Sequence, residues 1–146
     1  MAAIKQDDLI ESVADAFQYI SYYHPKDYID ALALAYEREE SSAAKDAIAQ
    51  ILTNSKMSAQ GRRPMCQDTG LAVVFVKLGM EVKWSGVTMT MDEMIHEGVR
   101  RAYTHPDNTL RASVVKDPAN RRVNSRDNTP AVIHYEVAPG SEIEIT

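Results

Sequence analysis

Four consecutive residues of this sequence carry four different chemical groups: the thiol of Cys66, the amide of Gln67, the carboxylate of Asp68 and the hydroxyl of Thr69. Proline at position 64 restricts the backbone before them, and glycine at position 70 permits turns that a Cβ would forbid. A strongly apolar run follows at once. The pattern predicts a turn that holds reactive groups open to solvent, anchored by the buried strand behind it.

Cys66 is the only cysteine, and the residues alone leave two interpretations of it open. A lone cysteine is often a small buried hydrophobe. The cations of Arg62 and Arg63, close by in sequence, would instead favour a thiolate, the form that binds metals or attacks carbon. A cysteine nucleophile would need a histidine base, and none of the four histidines has a diagnostic spacing from it.

Asp68 also has two interpretations. Asp beside Thr commonly caps a turn or a helix, whereas a functional carboxylate would transfer a proton or position a ligand. Arginines are concentrated in the second half of the chain, which suits either a small anion or a solvated surface. They are Arg100, Arg101, Arg111, Arg121, Arg122 and Arg126.

The elements that must position these groups begin with helices. Apolar residues spaced three and four apart predict a helix over 7–22, and a second is predicted over 25–40 with a proline in its first turn. Ser41 or Ser42 is expected to cap a third. Residues 54–63 are polar and contain a glycine, so we expect a loop there.

Strands are predicted after the Cys66 turn. Residues 71–76 are apolar throughout, which predicts a strand covered on both faces, and 80–84 could be its neighbour. Thr90 and Glu93 form a capping box that begins a helix reaching about Tyr103. Its apolar spacing predicts an inward face of Met94, Ile95, Gly98, Val99 and Ala102. Further along, we expect a short strand over 110–115, a strand over 131–137 and a hairpin partner for it over 142–146.

These elements predict an α+β fold: an N-terminal helical layer followed by a mixed β-sheet with one long helix. The helical part would be residues 1–60, and residues 61–146 would be an α/β part containing the Cys66 turn. The sequence stops inside a predicted element, which fits a natural terminus or a truncation equally. We expect a fragment of a larger domain.

Composition restricts the class of protein. The chain has 146 residues, 45% hydrophobic and 25% charged, as in ordinary globular domains. Its net charge of −5 argues against general nucleic-acid binding. No apolar run is long enough for a membrane span, the N-terminus lacks the features of a signal peptide, and a single cysteine suits the reducing cytoplasm.

The run 63–70, Arg-Pro-Met-Cys-Gln-Asp-Thr-Gly, resembles a signature of the class I, iron–sulfur fumarate hydratases and the related L-tartrate dehydratases. The resemblance continues in order along the chain, and Met65 stands where the family has an aliphatic residue such as Ile. The further matching segments are 76–79, 97–103, 108–113 and 124–131.

The resemblance implies specific roles. Cys66 would be one of three thiolates holding a 4Fe–4S cluster, whose open iron acts as a Lewis acid on a dicarboxylate. Gln67 and Asp68 would lie at the substrate, with Asp68 handling a proton. Arg111 would bind a substrate carboxylate. The other two cysteines and the partner of the acid–base pair are not in this sequence, so the isolated chain would be an N-terminal portion of the family's iron–sulfur domain, without activity.

The implied reaction is reversible hydration of fumarate to (S)-malate. One alternative is an L-tartrate dehydratase subunit. Another, from a different class, is a non-catalytic structural or interaction domain with a packed cysteine and solvated arginines. The expected partners are a small dicarboxylate, the remainder of the enzyme as a C-terminal part or second subunit, and further copies in a homo-oligomer. We expect neither nucleic acid nor membrane as a partner, and a cytoplasmic location.

Overall fold

The structure is a computed structural model that describes residues 3–67 and 69–146. Its helices and strands confirm the predicted α+β class. In chain order they are β1 (Ile4–Lys5), α1 (Gln6–Tyr22), α2 (Lys26–Arg38), α3 (Ser42–Gly61), β2 (Val73–Gly79), β3 (Trp84–Ser85), α4 (Met91–Tyr103), β4 (Val115–Lys116), β5 (Val123–Asn124), β6 (Val132–Ala138) and β7 (Ile143–Ile145). None of the helices in the described ranges is long and apolar enough to cross a membrane.

The described chain divides into two compact units. The sheet unit contains residues 3–18 and 69–146, and the helical unit contains residues 19–67. The first part of α1 therefore belongs with the sheet, although it precedes the other helices in sequence. Its buried residues, Leu9, Ile10 and Val13, are part of the sheet unit's hydrophobic core.

In the helical unit, α3 begins where the sequence indicated, because the Ser41 side chain accepts a hydrogen bond from the Ala44 backbone. Its end was predicted wrongly. Residues 54–61, expected as a loop, continue the helix to Gly61, and Arg62 then adopts a left-handed conformation. A helix that has formed extends at little cost through polar residues, so it ends only at the glycine and the left-handed residue.

The main sheet of the other unit has the strand order β6-β2-β7, with β2 in the centre. Strand β6 runs parallel to β2, and β7 runs antiparallel to it. The sheet is therefore mixed, as predicted. The expected hairpin of β6 with β7 is wrong, because both strands pair with β2 instead.

The connection between β6 and β7 explains this pairing. It passes over the end of β2, where Gly79 donates a backbone hydrogen bond to Glu142 and Met80 donates one to Ala138. A Cβ on Gly79 would lie 2.4 Å from the Gly140 carbonyl oxygen, so only glycine permits this close approach. The short connection thus delivers β7 to the opposite side of β2.

Strand β2 alternates between its two faces. Val74 and Val76 are buried at 1% and 2% exposure, whereas Val73 and Phe75 are 43% and 54% exposed. The prediction that both faces would be covered is therefore wrong for the described residues. The buried face packs with α1 and α4 residues in one core. An all-apolar run does not by itself distinguish one covered face from two.

Other strand predictions were also corrected. Residues 110–114 form no strand, and only Val115–Lys116 pairs, antiparallel with β5. Residues 80–81 form a turn and 82–83 are irregular, after which the two residues of β3 pair with β1. Side-chain hydrogen bonds, described below, take the place of a strand ladder along 112–114.

Helix α4 confirms its predicted capping box. Thr90 accepts a hydrogen bond from the Glu93 backbone, and the Glu93 carboxylate accepts one from the Thr90 backbone. The Thr90 backbone N–H and hydroxyl both donate to the Glu93 carboxylate, and because these two bonds stabilise its ionised form they lower the pKa of Glu93. The helix buries the face that its apolar spacing predicted, at Met94, Ile95, Gly98, Val99 and Ala102.

Gly98 lies where α4 packs closely against α1, and we expect Gly98→Ala to destabilise the chain by about 2 kcal/mol. The added Cβ would lie 2.6 Å from the Val13 Cβ and 2.8 Å from the Ile10 carbonyl oxygen. This overpacking should exceed the ~1 kcal/mol that alanine gains over glycine in a helix. Urea denaturation measures the change. Gly61→Ala is the matched control, because its nearest neighbour would be 3.6 Å away; equal stability of the two variants would contradict the prediction.

Candidate functional site

Cys66 lies exposed at the end of the helical unit, as the turn pattern predicted. The residue before it is held from two sides: the Met65 backbone N–H donates to the Ser21 carbonyl at 3.0 Å, and the Asn54 side chain donates to the Met65 carbonyl at 2.9 Å. The thiol therefore stands next to a fixed peptide rather than on a long unsupported loop. The exposed side chain does not fit the packed-cysteine interpretation.

Gln67 follows Cys66 in the same unit and is also exposed. Asp68, the residue expected to handle a proton, lies outside the described residues. Thr69 and Gly70 begin the second stretch of the sheet unit, and both are exposed. The Gly70 carbonyl oxygen accepts two hydrogen bonds, from the Ser113 hydroxyl at 3.2 Å and from the Asn128 side chain at 3.1 Å.

Arg111 is exposed in the sheet unit, in the extended chain between α4 and β4. Its neighbours Leu110 and Ala112 both pack against the hydrophobic core. The apolar residues on either side therefore anchor the backbone while the arginine remains accessible. This arrangement suits a guanidinium that binds an external carboxylate, which it can grip through two parallel hydrogen bonds.

Residues 124–128 hold the backbone that follows Arg111. The Asn124 side chain donates to the Ala112 carbonyl at 2.9 Å, and the Ser125 backbone donates to the Val114 carbonyl at 2.7 Å. The Asn128 side-chain oxygen accepts from the backbone N–H groups of Ser113 and Val114 at 2.8 and 3.0 Å. These bonds make 112–114 a braced segment without a regular strand.

Asp127, next to Asn128, has a structural partner. Its carboxylate accepts hydrogen bonds from the Thr129 backbone and hydroxyl at 3.1 and 2.8 Å. Burial alone would raise the pKa of Asp127, but favourable interactions, chiefly these hydrogen bonds and also the positive charge of Lys116, outweigh it and the pKa is lowered. The carboxylate is therefore ionised at neutral pH and fixes the turn that precedes β6.

Two of the late arginines are engaged within α4. Arg100 makes two hydrogen bonds to the Glu97 carboxylate at 2.5 and 2.6 Å, and Arg101 makes one at 2.8 Å. The bonds from Arg100 and the charges of both arginines lower the pKa of Glu97 to about 2. Arg100 and Arg101 are therefore part of an ion-paired helix surface, which fits these two arginines better than a small-anion site does.

The residues described above all lie within a segment that matches a known protein family. The family model described as Fumarate hydratase (Fumerase) matches residues 10–146. The chain belongs to the fumarate hydratase family. Cys66, Gln67, Asp68 and Arg111 all lie within the matched range, as do Asn124 and Asn128.

Individual relatives agree with this membership. A Methanocaldococcus jannaschii protein, provisionally assigned as an L(+)-tartrate dehydratase alpha subunit, is 33% identical over 136 residues, which are 91% of this chain and 47% of the relative. Fumarate hydratase 2 of Leishmania major is 30% identical over 88% of this chain and 22% of its own length. The anaerobic class I fumarate hydratase of Escherichia coli is 33% identical over 75% of this chain. The chain thus spans at most about half the length of these relatives.

The residues present fit one ligand of an iron–sulfur cluster but not a whole ligand set. Cys66 is exposed on a braced turn, which suits a thiolate ligand, and it is the only cysteine in the sequence. Across residues 3–67 and 69–146, no three His, Cys, Asp or Glu side chains converge on a common metal position. This fumarate hydratase family chain therefore does not by itself supply three thiolates.

Asn124 and Asn128 are the residues that the sequence interpretation did not single out. Both lie in the segment 124–131 that carried the resemblance, but the bonds by which they hold other segments reach residues 12 to 58 positions away in sequence. The available signal was the residue type. Asparagine tolerates left-handed backbone better than other non-glycine residues, and Asn128 has φ of +60°.

Proposed function

We propose that this chain supplies part of the active site of a hydro-lyase that adds water to, or removes it from, a small dicarboxylate. The observation that carries the proposal is the family match over residues 10–146, which contains the complete Cys66–Gly70 signature and Arg111. The exposed thiol on a braced turn and the exposed guanidinium between two core-packed residues are consistent with it.

The chain's own residues have separate tasks in this proposal. Arg111 binds one carboxylate of the substrate, and its planar guanidinium orients that carboxylate through paired hydrogen bonds. Gln67 hydrogen-bonds the substrate through its amide, and Asp68 accepts or returns a proton at the carbon skeleton. Cys66 holds one iron of a 4Fe–4S cluster, which, when bound, supplies Lewis-acid polarisation of the substrate oxygen atoms.

Fumarate is the substrate we propose, with (S)-malate as its hydration product. L-tartrate is the second candidate, because relatives named for both activities match this chain at similar identity. The two substrates differ in the hydroxyl groups that the enzyme must accommodate, while both present two carboxylates. Arg111 suits either, so it does not discriminate between them.

The cysteine count limits what the 146-residue chain does alone. One thiolate does not hold a cubane cluster with an open iron, which takes three. The other two thiolates and the acid–base partner of Asp68 would come from a further polypeptide segment or a second subunit. We therefore propose that the isolated chain, the N-terminal portion of the iron–sulfur domain, has no hydratase activity.

The exposed face of the main sheet supports a role in assembly. Phe75 stacks on His134 at 4.9 Å between ring centroids, and Val73 and Val132 are also substantially exposed on that sheet. An exposed apolar sheet face commonly marks an interaction surface, so a homo-oligomer or the rest of the enzyme would cover this one. The single cysteine and the acidic net charge favour the reducing cytoplasm and disfavour nucleic acid as a partner.

Anaerobic reconstitution with iron and sulfide tests the proposal. We expect the assembled enzyme, this chain with the polypeptide that supplies the other two thiolates, to bind about one cluster per site and to hydrate fumarate. The Cys66→Ser variant should lose the cluster, because serine offers no thiolate ligand. The 146-residue chain alone should hold no stoichiometric iron.

Iron per chain, cluster absorption and turnover of fumarate and L-tartrate are the measurements. A greater kcat/KM for L-tartrate than for fumarate would identify L-tartrate as the substrate. A stable cluster in the Cys66→Ser enzyme, or stoichiometric cluster in the isolated chain, would contradict the assigned ligand set. An assembled enzyme with neither cluster nor turnover would instead favour the non-catalytic domain.

A further inference from the structure

Asn128 is the most completely buried polar residue described in the sheet unit, at 0% exposure. The three hydrogen bonds described for its side-chain amide are all to backbone groups. Its Oδ1 accepts from two successive backbone N–H groups, those of Ser113 and Val114, and its Nδ2 donates to the Gly70 carbonyl. One side chain therefore joins two backbone segments that lie 43 residues apart in sequence.

The two joined segments are those that carry the proposed substrate groups. Gly70 follows Asp68 by two residues, and Ser113 follows Arg111 by two residues. The Ser113 hydroxyl adds a direct bond to the same Gly70 carbonyl, so the junction is made twice. Any displacement of Asn128 would move the backbone adjoining both groups.

Asparagine is the residue type that this position requires. It provides an acceptor for two N–H groups and a donor for a carbonyl within one short planar amide. The backbone at Asn128 is left-handed, with φ of +60°, which asparagine adopts more readily than most other residues. Aspartate would keep the acceptor but lose the donor when ionised, and glycine would keep the backbone conformation but lose both.

We propose that Asn128 is a positioning residue for the dicarboxylate site, which sets the backbone after Asp68 against the backbone after Arg111 without touching the substrate. This inference rests on the proposed function. Because misplacement of a reacting group by about 1 Å can cost about 100-fold in rate, loss of this junction should reduce turnover strongly. Asn128 would act on proton transfer through Gly70 and on carboxylate binding through Ser113 and Val114.

Three variants of the assembled enzyme separate positioning from general stability. Asn128→Gly removes both sets of bonds and should lower kcat while raising KM for the dicarboxylate, so that kcat/KM falls about 100-fold or more. Asn128→Asp retains the acceptor for the 113–114 amides, so kcat should fall while KM stays within about threefold of wild type. Ile95→Ala, at an equally buried site in α4, should reduce stability but change neither constant at a temperature where it is folded.

Amide hydrogen exchange of the 146-residue chain gives a readout that does not depend on activity. Exchange at Ser113 and Val114 should accelerate about tenfold or more in Asn128→Gly, beyond the change in global stability, and should stay protected in Asn128→Asp. Unchanged exchange at the two amides, or a kcat/KM in Asn128→Gly no lower than in Ile95→Ala, would overturn the proposal. A wild-type enzyme that turned over no dicarboxylate would refute the proposed function, whereas the exchange rates would still decide whether Asn128 joins the two segments.

Discussion

Asp68→Asn should lower kcat of the assembled enzyme by about 100-fold or more while leaving the cluster intact. The substitution preserves the size and planarity of the side chain but removes the group that can accept a proton. General acid–base catalysis contributes about 10²–10⁴ to rate, so its loss should appear mainly in kcat. Since the amide can still donate and accept hydrogen bonds, KM should change much less.

The measurement for Asp68→Asn combines steady-state kinetics with cluster absorption on the same sample, because an unloaded enzyme would also be slow. Asp30→Asn is the matched control: Asp30 is exposed in α2, where it pairs with Lys26. That control should retain wild-type kinetics. Near-normal turnover of Asp68→Asn with a full cluster would remove Asp68 from proton transfer and leave it as a turn residue.

Arg111→Lys should raise KM and lower kcat/KM by about 10- to 100-fold, with little change in the free energy of unfolding. Lysine keeps the positive charge but cannot form the two parallel hydrogen bonds of a guanidinium with a carboxylate. A hydrogen bond to a charged group contributes about 1.5–3 kcal/mol, which corresponds to this range. Stability should be unaffected because the side chain is exposed, whereas its neighbours Leu110 and Ala112 provide the packing.

Arg121→Lys provides the comparison for Arg111→Lys, because it makes the same exchange at an exposed arginine in the turn between β4 and β5. Its kinetics should equal those of wild type. Denaturant titration of both variants completes the test. A loss of stability in Arg111→Lys with unchanged kinetics would show that Arg111 supports the fold rather than the substrate.

Local features of the sequence predicted much of the architecture. The capping box at Thr90, the cap at Ser41 and the apolar spacing of α1 and α4 each depend on residues within a few positions of one another, and the structure confirms them. The end of α3 was not predicted by such local signals. Polar residues are compatible with either a loop or a helix, and continuation of an existing helix decided between them.

The local sequence pattern did not predict which strands pair with each other. The alternation in β7 is equally compatible with β6 or β2 as its neighbour. The pairing with β2 depends on a connection that crosses the end of β2, where the Gly140 backbone approaches Gly79 too closely for a Cβ at position 79. Such a contact between distant backbones has no signature in either segment alone.

The sequence by itself determined the family of the chain and indicated the candidate site residues and their order, because residue type and motif are read directly along the chain. Only the tertiary structure decided that Asn128 is buried and bonded both to Gly70 and to the 113–114 amides. The reason is physical: a buried amide must find partners for its donors and acceptors, and these are set by which segments the fold brings within hydrogen-bonding distance. Residue type shows what Asn128 can bond, whereas the packed chain selects the partners.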